Sequence, residues 1–64
     1  MHKKEMFRVI RELRAALGLT QEQFAAKLGV TFTTVSRWEN SKGEPSPLAM
    51  LRIEALKKKL KQNR

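Results

Sequence analysis

Two short apolar-patterned runs meeting at a single glycine, within TQEQFAAKLGVTFTTVSRWEN at positions 20–40, constrain this chain more than any other stretch. Apolar residues fall at Phe24, Leu28, Val30, Val35 and Trp38, with Ala25 and Gly29 among them at helical spacing. Two helices that cross steeply need a small side chain where they meet, and Ala25 lies one turn before the bend on the inner face. Gly29 follows the last residue of the earlier helix, where the chain enters the left-handed region that glycine visits cheaply. Thr31 is then placed to cap the later helix, its hydroxyl accepting from an amide two or three residues on. The predicted unit is a pair of short helices joined by a tight turn.

The flanking sequence reads as support. From about Lys4 to Leu17, Met6, Ile10, Leu13 and Leu17 recur at three- and four-residue intervals and form one apolar stripe, widened by Phe7 and Ala16. Arg8, Arg11, Glu12 and Arg14 fall largely on the other faces, and Gly18 stands just past the helix end. Thr20 and Gln23 have the spacing of a capping box, so the next helix is expected to start there, with Phe24, Ala25 and Leu28 inward and Glu22, Gln23 and Lys27 wet. A third helix is predicted from Phe32 to about Asn40 or Ser41. It buries Val35 and Trp38 and leaves Phe32, Thr33, Ser36 and Arg37 outward, a mixed polar surface suited to reading base edges. SKGEP at 41–45 is loop, and Ser46-Pro47 is an N-cap followed by proline at the first helical position. The fourth helix, about 47–62, is expected to close the core over the first and third helices with Leu48, Met50, Leu51, Ile53, Leu56 and Leu60. Beyond Leu56, KKKLKQNR should extend as exposed helix or fray.

The expected architecture is therefore all-α: a compact four-helix domain, one domain over 1–64, with no strand and no internal repeat. At 64 residues the core is small, and without cysteine it rests on helix packing rather than on disulfides or thiolate-bound metal. No Asp, Cys or Tyr is present and the one His is His2 near the terminus, so neither a catalytic triad nor a metal cluster can be assembled; no enzyme activity, cofactor or metal is expected. No apolar run approaches the roughly 20 residues that span a bilayer and the start lacks a signal-peptide core, which predicts a cytoplasmic chain. The net charge of +8 favours a polyanionic partner.

LGLTQEQFAAKLGV followed by TTVSRWENSKGEPSP resembles the phage repressor and Cro, or XRE-type, helix-turn-helix domain over about Ile10 to Leu51. That resemblance implies a transcription regulator, repressor-like, whose third helix enters the major groove of double-stranded DNA, often as a two-fold homodimer. The usual fifth helix is missing here. Carried over by position, Phe32, Thr33, Ser36 and Arg37 face bases, with Arg37 suited to guanine and Phe32 to a thymine methyl. Gln21, Thr31, Thr34, Asn40 and Lys42 resemble phosphate-gripping positions. Resemblance and placement beside core Leu13 and Trp38 also predict an ion pair between Arg14 and Glu39.

Plainer accounts stand beside these. Gln21 can simply improve its helix start, Thr31 can serve only as a cap, Arg37 can meet phosphate or solvent, and Trp38 reads as core. Two other roles fit the composition: an antitoxin-like or regulatory module that docks a protein partner, and DNA or RNA binding without sequence preference. A membrane-surface role for the last helix fits poorly, because Lys57, Lys58, Lys59 and Lys61 surround a thin apolar strip where an interfacial anchor carries a broad one.

Overall fold

The computed structural model describes residues 5–62. They form four helices: α1 (Met6–Leu17), α2 (Gln21–Leu28), α3 (Phe32–Glu39) and α4 (Pro47–Gln62), with no strand among the described residues. The first helix begins at Met6, with Glu5 as its extended N-cap, a residue or two after the expected start, while Lys4, His2 and the end of the basic tail lie outside the described residues.

Local chemistry sets most of the boundaries. At the start of α2, Gln23 N donates to Thr20 Oγ1 at 3.1 Å while Thr20 N donates to Gln23 Oε1 at 2.9 Å, so the capping box is complete. Thr31 Oγ1 accepts from Thr34 N at 3.1 Å and caps α3. Ser46 Oγ accepts from Ala49 N at 3.2 Å at the head of α4, with Pro47 in the first turn where no amide is needed. Gly29 ends α2 at φ 73, in the left-handed region. The third helix stops at Glu39, a residue or two before the sequence expectation, and Ser41 turns the chain away at φ 61.

The core is assembled from all four helices. Ile10, Phe24, Leu28, Val35 and Ile53 are fully buried, joined by Leu13, Ala25, Trp38 and Ala49. Burying a side chain of the Leu, Ile, Val or Phe class contributes about 1.5 to 3 kcal/mol, so this short list holds most of the apolar stabilisation. Ala25 lies within the cluster, as a close crossing of α2 and α3 requires.

Two packing expectations fail. Leu48 and Leu51 are 57% and 69% exposed, and α4 instead buries Ala49 and Ile53, with Met50, Leu56 and Leu60 packed partly against the cluster. The reason is angular: at about 100° per residue, 49, 53, 56 and 60 form one narrow stripe, whereas Leu51 points nearly opposite to it. The backbone of α4 comes nearest to α2, and its Leu60 borders a cleft shared with Val9 and Leu13 of α1. One bond fixes this docking, from Arg52 Nη1 to the Leu28 carbonyl at 2.8 Å. On α1, Ala16 also stays exposed rather than widening the core stripe.

Candidate nucleic-acid interface

The outward face of α3 is built by default from what the core does not use. Val35 and Trp38 point inward, so Phe32, Thr33, Ser36 and Arg37, on an arc of about 140°, are left on the opposite side. Phe32 is 47% exposed, Thr33 and Arg37 are exposed, and Ser36 is half-buried. The structure thus brings all four onto one convex surface. Two open clefts, of about 360 and 290 Å³, lie elsewhere: one against Met6, Phe7 and Trp38, the other between Val9, Leu13 and Leu60. Neither is lined by this face.

Arg37 Nη2 donates to the Lys42 carbonyl at 3.3 Å, and Lys42 N donates back to the Arg37 carbonyl at 2.8 Å. The helix and its following loop are tied together, while most of the guanidinium donors stay available. Asn40 Nδ2 donates to the Ser36 carbonyl at 2.8 Å, closing the end of α3. Thr31 and Thr34 share a hydroxyl contact of 2.9 Å beside the cap. Lys42 is exposed. The expected phosphate-gripping residues therefore flank α3, Gln21 at the start of α2 and the others at the two ends of α3 or just beyond.

Beneath this face lies a charged cluster. Arg14 Nε donates to Glu39 Oε2 at 2.7 Å and Nη2 to Oε1 at 3.0 Å, a two-pronged pair in which the Glu39 side chain is 5% exposed and that of Arg14 24%. Gln21 Nε2 also donates to Glu39 Oε1, at 2.9 Å, and Arg14 Nη1 donates to the Leu19 carbonyl at 3.1 Å. One carboxylate thus ties α1, the start of α2 and the end of α3 together. Burial acts most strongly on Glu39 and pushes its carboxyl up. The hydrogen bonds from Arg14 and Gln21, with the charges of Arg14 and Arg11, outweigh it and hold the group below its ordinary value. The hydrogen bond to Glu39 holds the Arg14 guanidinium above its own ordinary value against the opposing effect of burial.

Two contacts here have no signature in the local sequence. Gln21, a phosphate-gripping position by resemblance, gives one amide proton to Glu39 and keeps the other available. The Arg52 contact with Leu28 carried no local signature, since 24 residues separate the partners. Among the described residues there is no group of His, Cys, Asp and Glu that could hold a metal, and no helix long and apolar enough to cross a membrane.

Comparison with known proteins agrees with this geometry. The helix-turn-helix family profile matches residues 10–62. The HTH-type transcriptional activator BcrR of Enterococcus faecalis is 46% identical over 37 residues, which are 58% of this chain and 18% of that protein. The chain therefore matches less than a fifth of that relative's length. No solved structure matches it. A family match over most of the chain, carried on these four helices, makes this chain a member of the XRE-type helix-turn-helix family.

Proposed function

We propose that residues 1–64 act as one cytoplasmic DNA-binding domain that recognises a specific duplex sequence by inserting α3 into the major groove. The observation that supports this best is the division of α3: one side buried and locked by Glu39, the other presenting Phe32, Thr33, Ser36 and Arg37 outside the core cluster. In this reading Arg37 pairs with guanine O6 and N7, worth about 1 to 3 kcal/mol of discrimination, and Phe32 lies against a thymine methyl. Thr33 and Ser36 make the shorter polar contacts. Gln21, Thr31, Thr34, Asn40 and Lys42 hold phosphates on either side, fixing register without reading sequence. Gln21 keeps a second amide proton for this purpose, whereas Asn40 Nδ2 meets both the carbonyl and the hydroxyl of Ser36, at 2.8 and 3.4 Å, and turns from them to reach a phosphate.

Selection of bound sites from random duplex DNA tests the reading. A defined motif is expected, and a pool that stays random would reject sequence-specific recognition in favour of general polyanion binding. If the domain acts as a homodimer, two half-sites should appear with centres about 34 to 36 Å apart or a multiple of that. We take its role as repressor-like operator occupancy; the Enterococcus relative is named an activator, and a reporter with the selected site placed over or upstream of a promoter separates the two.

A second reading, that the domain chiefly docks a protein partner, draws support from Leu48 and Leu51, which are exposed together on α4. Loss of a regulatory effect in Leu51→Lys with DNA affinity intact would favour it.

A further inference from the structure

The end of α2 leaves a carbonyl that its own helix cannot satisfy. Gly29 N donates to the Ala26 carbonyl at 3.3 Å and Val30 N to that of Ala25 at 3.0 Å, the reverse-turn closure of a helix ending in a left-handed glycine. Those bonds use two of the last carbonyls, and Leu28 still points its own out of the helix end. Arg52 Nη1 meets it at 2.8 Å, reaching across from α4. A cation there also sits at the negative end of the helix dipole.

Gly29 makes this contact possible. A Cβ at that position would lie 2.6 Å from Arg52 Nη1, so any side chain would push the guanidinium off the carbonyl. The glycine is required for its φ of +73, and the space it leaves is taken by the flexible end of Arg52, which a side chain there would displace. At the other end of α2, Arg14 Nη1 holds the Leu19 carbonyl at 3.1 Å. An arginine from α1 and another from α4 therefore grip the chain on either side of α2, and the exit grip lies four residues before Phe32.

We propose that Arg52 is a positioning residue for DNA recognition, clamping the Leu28 carbonyl so that the turn delivers the first turn of α3 to the groove at one angle. This rests on the reading of α3 as the groove helix. Arg52 itself does not touch DNA in this role. The clamp acts on Phe32 and Thr33, which follow the turn directly, more than on Arg37 a turn further along.

The test uses the full chain with Arg52→Met, which keeps most of the apolar stem, and Arg52→Lys, which keeps one cationic donor. Amide exchange at Val30, measured without DNA, should be faster in R52M by about tenfold, the scale of one charge-assisted hydrogen bond. Affinity for the duplex selected by the unmodified chain should fall by about the same factor, with R52K recovering most of both. The slope of log affinity against log salt should stay unchanged, because no phosphate contact is lost. Base preference should loosen at the positions met by Phe32 and Thr33. Unchanged exchange and affinity would overturn the proposal. A slope lower by about one unit with unchanged exchange would also overturn it, making Arg52 a phosphate contact. If R52M does not fold, Arg52→Gln, which keeps a neutral donor, takes its place under the same criteria. Should the unmodified chain select no sequence, the groove reading and the positioning role both fall, while exchange at Val30 still decides whether the clamp exists.

Discussion

Replacing Arg14 with Met should destabilise the domain more than replacing Glu39 with Gln, although both break the same pair. In Arg14→Met the Glu39 carboxylate, with its side chain only 5% exposed, keeps a single donor from Gln21. A charge stranded in this way costs about 3 to 5 kcal/mol. In Glu39→Gln the guanidinium left behind is 24% exposed and still donates to the Leu19 carbonyl, so the loss should be nearer about 1 to 3 kcal/mol. At about 0.05 to 0.15 kcal/mol per residue, a domain of this size has about 3 to 10 kcal/mol in total, which puts Arg14→Met near the limit of folding. Urea unfolding at reduced temperature, read by the fluorescence of Trp38, the one tryptophan, is the suitable assay. The double mutant should give a coupling energy of about 1 to 3 kcal/mol. The acid dependence supplies a second readout. Because Glu39 is held below its ordinary value, its contribution is present above the unfolded carboxyl pKa of about 4.3 and is lost as pH falls through the lower folded value. Without Arg14, burial dominates and lifts the carboxyl, so the penalty of Arg14→Met should shrink on acidification. A coupling energy within error of zero, or matching acid profiles for variant and unmodified chain, would refute the reasoning.

Arg37→Ala should relax preference at one base position, whereas Lys42→Ala should weaken all sequences alike and lower the salt slope by about one unit; affinities across a site library distinguish them. Ile53→Ala should cost about 2 to 5 kcal/mol, and Leu51→Ala on the opposite side of α4 should stay within about 0.5 kcal/mol, both measured by denaturant unfolding. Thr20→Ala removes the reciprocal cap of α2 and should lower stability by about 1 kcal/mol in the same assay.

What could be read from the sequence divides by range. The start of α2, its end at Gly29, the cap at Thr31 and the Ser46-Pro47 head of α4 are each decided by residues within a few positions of one another, and they lie where the pattern placed them. The face of α4 was not readable in this way. Leu48, Met50, Leu51 and Ile53 surround the helix, and only its docking on α2 decides which of them is covered. At the candidate interface, outward placement of Phe32, Thr33 and Arg37 followed from the burial of Val35 and Trp38. The Gln21 contact with Glu39 spans 18 residues and depends on how α2 and α3 cross. No local spacing encodes that.

The separation of α3 into a locked side and an idle side bears on how such a domain can change over evolutionary time. Phe32, Thr33 and Arg37 stand outside the core cluster, so exchanges among them leave the interior nearly untouched. Surface changes of this kind usually shift stability by no more than about 0.5 kcal/mol, less than the margin of a small domain. If α3 reads DNA as proposed, new target preferences can then arise by single substitutions that selection sees only through binding. Val35, Trp38 and Glu39 have no such latitude, because each is fixed by partners on other helices. The lineage of this fold can thus vary its address while keeping its frame.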